Sequence, residues 1–194
     1  MMRLFLPMVR PVAVVLCLCA VVLWSSCTKE VNNPPPDSQH GTITTLLIVL
    51  SDSSAFPVRH DTVAFDDPDG AGGQQPLQWD TLRLKTNHSY HGRLVLQNRG
   101  SIPVQDLGPL IEAQGHQHLF CYLYPDSLLD IRITDRDDLM LPLGFRTEWT
   151  TGVRPGTDFL EIQLRHLAYG KNLSSNHLSG HGDLQVRFPL ILQP

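Results

Sequence analysis

Two histidines and a thiol fall within six residues of the stretch Gly115–Tyr124, GHQHLFCYLY. Imidazole and thiolate are ligands for zinc, copper and nickel, so this spacing raises a metal site. In a strand the side chains alternate. His116, His118, Phe120, Tyr122 and Tyr124 then share one face, and Gln117, Leu119, Cys121 and Leu123 share the other. Cys121 points away from the histidines and cannot join them at one ion without a bulge. It is expected as a core residue beside Leu119 and Leu123. His116 and His118 project from one surface, but two ligands do not make a site. His166 offers a third, since it continues the apolar series Leu160–Ile162–Leu164 and so points inward at a strand end. The expected metal set, for zinc or copper, is His116, His118 and His166. The competing reading makes an inward histidine a hydrogen-bonded core residue. His177 and His181 stand four apart among Ser and Gly, where a loop is expected rather than a helix.

A second cluster is acidic. DDPDGAGG (66–73) places Asp66, Asp67 and Asp69 beside glycines, an echo of a calcium loop. No distal bidentate acid completes it, and an aspartate-rich turn accounts for the same residues. Motifs of catalysis are missing: no nucleophile-elbow serine, no HExxH, no phosphate-cradling glycine loop. The expectation is a protein that is not an enzyme.

The elements that must position these residues read as short strands with Gly, Pro and Asp between them. Candidates are 42–50, 58–65, 78–84, 89–97, 117–124, 128–134, 143–150, 159–167 and 184–191. Leu160, Ile162 and Leu164 alternate with Glu161, Gln163 and Arg165; Leu184, Val186, Phe188 and Leu190 alternate with Gln185 and Arg187. One wet face and one buried face mark antiparallel sheets. One short helix is expected over LIEAQ, with Asp106 as cap, Pro109 in the first turn and Gly115 closing it. About nine strands and one helix predict an all-β, two-sheet antiparallel sandwich, immunoglobulin-like or similar, over residues 42–194.

Upstream, Arg3 and Arg10 precede fourteen uncharged residues, PVAVVLCLCAVVLW (11–24), which is short for a spanning helix and suits a signal peptide. The run ends in LWSSC, which resembles a bacterial lipobox with Cys27 as the lipidated residue; Trp24 departs from the usual aliphatic. The expected layout is a signal peptide over 1–26, then lipidated Cys27 and a proline-rich spacer over 27–41, TKEVNNPPPDSQHG after the cysteine. Cleavage would leave 168 residues, 194 less the first 26, with Cys121 the only free thiol. It would also leave 13 basic against 19 acidic residues, a charge near −6. That balance argues against nucleic acid as a partner, and acyl chains rather than charge would hold the protein to a membrane.

Several segments together resemble a family of small Bacteroidota lipoproteins: FDDPDGAGG, DTLRLKTNHSYHGRLVLQN, LIEAQGHQHLFCY and LEIQLRH…HGDLQVRFPLIL. His118 and His166 match the family's pattern, whereas His116 stands where the family tends to have an acid. The resemblance implies an outer-membrane lipoprotein, with association to a TonB-dependent receptor as its expected partner. Lys29-Glu30, right after Cys27, resembles the lysine-plus-acid export signal of Bacteroidota surface lipoproteins and favours the outer face. Members carry the label of a type 1 periplasmic binding fold, which would require alternating β–α units; the strand pattern of this chain predicts a sandwich instead. The expected function is a non-catalytic binding or accessory module, the alternative being a lipoprotein that captures metal with surface histidines.

Overall fold

The computed structural model describes residues 41–69 and 74–194. Among the described residues, eleven strands make two sheets. In chain order they are β1 (Thr45–Asp52), β2 (Arg59–Asp66), β3 (Gln78–Trp79), β4 (Leu82–Lys85), β5 (Ser89–Asn98), β6 (Gln105–Asp106), β7 (His118–Leu123), β8 (Leu129–Ile133), β9 (Arg146–Thr151), β10 (Gly156–His166) and β11 (His181–Gln193). The larger sheet runs β3-β2-β1-β5-β9-β8, with β6 pairing to the end of β5; the smaller runs β4-β11-β10-β7. This is the all-β sandwich with a single short helix that the alternation predicts.

The core fills the space between the sheets. Leu46, Ile48 and Leu50 of β1 and Leu94 and Leu96 of β5 face Leu160, Ile162 and Leu164 of β10 and Val186, Phe188, Leu190 and Leu192 of β11 in one buried cluster. Their period of two follows from the pleat, which sends alternate side chains to opposite faces. Trp149 of β9, fully buried, donates its indole N–H to Thr147 Oγ1 at 2.6 Å. That bond satisfies the one polar atom of the largest core side chain.

Two elements differ from the sequence reading. The expected strand 78–84 is broken at Asp80-Thr81: β3 pairs with β2 in the larger sheet, whereas β4 crosses to the smaller sheet and runs parallel to β11. The break falls at Asp80, whose backbone N–H donates to the carbonyl of Ala64 at 3.0 Å. Its Oδ2 accepts the backbone N–H of Ala64 at 2.9 Å, a bond in which a side chain replaces a backbone acceptor. The helix α1 spans Gly108–Ala113 with Pro109 in its first turn, but its N-cap residue is Leu107, which makes no side-chain cap bond. Asp106 sits one residue earlier, in β6, and accepts the N–H of Gly108 at 2.9 Å. After Gln114 the chain tightens into a 3₁₀ turn over Gly115–Gln117, and β7 begins only at His118.

Candidate metal centre

The site lies where β7 begins, β10 ends and β11 enters the smaller sheet. Phe120 and Tyr122 of β7 point into the sandwich. Phe120 packs edge-on against Phe145 at 4.8 Å, and Tyr122 donates its hydroxyl to the carbonyl of Gly144 at 2.6 Å. His118, two residues before Phe120, shares that inward face and is fully buried.

This reverses the expected polarity of the strand. The histidine–aromatic face is the core face, so His118 is not a surface histidine. Cys121 is partly buried on the outer face rather than a core residue. Both faces of HLFCYL carry apolar groups, and the bulkier aromatic set takes the interior because it buries more area. Partial burial pushes the Cys121 thiol up to about 11, with nearby Arg165 opposing the shift.

An imidazole inside a core must have its polar atoms satisfied. His118 Nδ1 lies 3.0 Å from the carbonyl oxygen of Gln114, which can only accept, so Nδ1 carries the hydrogen. In the neutral ring Nε2 then presents its lone pair in the opposite direction. There it meets Asp183, whose Oδ2 is 3.7 Å from Nε2; both side chains are wholly enclosed. His166 is the cross-strand partner of His118, and the two rings stack with centroids 5.0 Å apart and planes 11° from parallel. Ligand atoms of His118, His166 and Asp183 all lie within 4.8 Å of one another.

Asp183 reaches the interior because of a bulge. Along the β10–β11 ladder Leu164 pairs with Leu184, but Arg165 pairs with Gly182, so Asp183 is the extra residue of β11. Strict alternation back from Leu184 would turn Asp183 outward. The bulge re-aims it inward, a common use of bulges beside functional sites. The sequence reading missed it, and the available signal was Gly182, since an isolated glycine at a strand end marks a bulge.

Two cations fasten the 167–180 loop beside this cluster. Lys171, itself buried, donates its Nζ to the carbonyls of His118 at 2.8 Å and Pro142 at 2.5 Å and lies 3.3 Å from Asp137 Oδ2. Arg165 donates to the carbonyls of Ser179 and Gly180 at 2.9 and 2.8 Å. The start of β7 and the end of β10 are thereby tied to the 167–180 loop.

Of the expected metal set, the structure brings His118 and His166 together and leaves His116 out. His116 lies in the 3₁₀ turn, exposed, outside the period-two alternation that was to align it with His118; its backbone carbonyl accepts from Lys171 N at 2.8 Å. Asp183 stands in its place. Among the described residues Asp66, Asp67 and Asp69 form no comparable ligand group. Asp66 accepts from Thr45 Oγ1 at 2.6 Å and pairs with Arg99 at 2.8 Å, which fastens the β1–β2 end of the sheet. Asp67 is raised above the usual carboxylate range by burial and by the neighbouring Asp69 and Asp66 charges. Asp69 is lowered, first of all by the backbone N–H of Gln74. Cys27 lies outside the described residues.

The fold and the site thus define an all-β sandwich with a two-histidine, one-carboxylate cluster at one end of its smaller sheet. Comparison with protein-family models, curated proteins and solved structures finds no match.

Proposed function

We propose that the chain is an outer-membrane lipoprotein, anchored through acyl chains on Cys27, whose sandwich serves as a non-catalytic binding or accessory module for a TonB-dependent transporter. One observation carries the reading: β1, the first of the described strands, starts at Thr45, beyond both the lipobox and the proline-rich spacer. Cleavage before Cys27 would therefore remove no described strand. The fourteen-residue spacer, extended at about 3.1 Å per residue, would give the module a reach of roughly 40 Å from the lipid surface. Such a tether supports engagement of a partner in the same membrane, because it raises the effective concentration of the two.

The test is affinity purification of the full chain from detergent-solubilised outer membranes of a Bacteroidota host, with Cys27→Ser in parallel. The native chain should incorporate labelled acyl groups and bring down a TonB-dependent receptor identified by mass spectrometry. Cys27→Ser should leave the membrane fraction or stall as precursor. Recovery of the native chain without any receptor, under crosslinking, would sink the accessory role. Unchanged membrane partition and acyl incorporation in Cys27→Ser would sink the anchor.

A further inference from the structure

We propose that His118, His166 and Asp183 form a binding site for a divalent transition-metal ion of the zinc type. The proposal goes beyond the membrane-module reading and is independent of it, because the three residues are far from Cys27 in sequence and need no partner.

The donor set comes first. Two imidazole nitrogens with one carboxylate oxygen suit zinc and its first-row neighbours, and three protein ligands leave a coordination position for water or a ligand. Calcium and magnesium, which demand oxygen donors, do not fit it. Next is the orientation of His118. A metal-ligating histidine commonly donates its second N–H to a backbone carbonyl, which fixes the tautomer and the orientation of the ring. The Gln114 carbonyl plays that part for His118, at 3.0 Å from Nδ1.

Distances agree with the same assignment. Tetrahedral bonds of about 2.0–2.2 Å place neighbouring donors roughly 3.3–3.6 Å apart. His118 Nε2 and Asp183 Oδ2 are 3.7 Å apart. That spacing is an ion-pair separation when the ring is protonated, and it also lies close to the edge of a coordination tetrahedron. The widest separation in the group is 4.8 Å at most, and the His166 ring already lies against that of His118, with centroids 5.0 Å apart.

The scaffold also has the character of a built site. Each ligand comes from a different strand of one sheet. His118 and His166 are register partners, and Asp183 is brought in by the single bulge on the β10–β11 ladder. A bulge disrupts that ladder locally, and what it achieves here is to place a carboxylate against two imidazoles.

The experiment uses the full chain in detergent, purified through a tag without histidines, stripped with chelator and titrated with zinc chloride by calorimetry. Cobalt(II) absorption in the visible region reads the geometry. The native chain should take up one zinc per molecule and give an intense tetrahedral or five-coordinate cobalt spectrum. His166→Ala and Asp183→Asn should each weaken zinc binding by at least about tenfold, since each removes one of three ligands. His116→Ala should leave affinity unchanged. Because His118 is wholly buried, its replacement is left aside; near-UV dichroism of the metal-free His166→Ala and Asp183→Asn proteins verifies that they fold. Absence of zinc uptake by the native chain would overturn the site. So would unaltered binding in folded Asp183→Asn or His166→Ala, or loss of binding in His116→Ala, which would assign the metal to the surface histidine instead.

Discussion

Replacing Lys171 with methionine tests whether the 167–180 loop is held by charge as well as by packing. The Lys171 ammonium meets two backbone carbonyls and the Asp137 carboxylate, with both side chains about 1% exposed. Asp137 also accepts the N–H groups of Leu139 and Leu141 through Oδ1, each at 2.9 Å. Burial disfavours both charges. Asp137 nevertheless ends below the usual carboxylate value, because the Leu141 N–H, Lys171 and the Leu139 N–H all point at it. Burial leaves Lys171 below its usual value, with Asp137 offsetting only part of that effect. Methionine fills a similar volume but strands the carboxylate, and breaking a buried pair from one side costs about 3–5 kcal/mol. In a domain of this size that lowers the melting temperature by something on the order of 10 °C.

The assay is urea and thermal unfolding followed by circular dichroism at pH 7. Asp137→Asn added to Lys171→Met should recover at least about 1 kcal/mol, because it removes the uncompensated charge. The pH dependence has a definite sign. A carboxyl depressed in the folded state contributes stability above its unfolded value of 3.8, and that stability is lost as pH falls through the folded value. Below that window Asp137 is protonated in both proteins, so the gap between native and Lys171→Met should narrow in acid. A single variant within about 0.5 kcal/mol of the native protein would refute the reasoning. So would a double variant that is less stable than the single one.

Gly144 has φ of +101°, and a Cβ there would stand 2.7 Å from Phe120 Cβ, so Gly144→Ala should cost at least about 2 kcal/mol by urea unfolding; a neutral result would mean that β7 can shift. Trp149→Ala empties the largest fully buried side chain and should cost about 3–5 kcal/mol, with a stability loss under 1 kcal/mol contradicting the packing described. Cys121, partly buried with its thiol raised to about 11, should react slowly with a disulfide reagent at pH 8 in the folded protein. Its rate should climb about tenfold per pH unit as thiolate forms, and a plateau reached below pH 9 would disprove the shift.

Much of the fold was legible because alternation is a local signal. The apolar sets of β10 and β11 fall on the inner face as the period of two requires, and His166 extends the first of them inward. The sequence was less informative at β7. Alternation establishes that His118, Phe120 and Tyr122 share a face, but both faces of that strand are apolar. Only the tertiary packing, with Gly144 and Phe145 of the segment before β9 against the aromatics, decides which face is inside. His116 was misplaced because the period-two alternation was carried past the start of the strand, into a 3₁₀ turn closed by the Gln114 carbonyl on the Gln117 N–H.

The strand periods, the turn residues between them and the two histidines His118 and His166 were determined by the order of amino acids alone, since each rests on neighbours a few positions away. The third member of the cluster was not. Asp183 faces inward only because β11 gains a residue against β10 between Leu184 and Gly182. Such a bulge is a property of two paired strands, in which the ladder chooses where to place the surplus residue. The crossing of the chain between sheets at Asp80 is of the same kind, since β3 pairs with β2 and β4 with β11, both distant in sequence. Pairing across long sequence separations, rather than local preference, selected both.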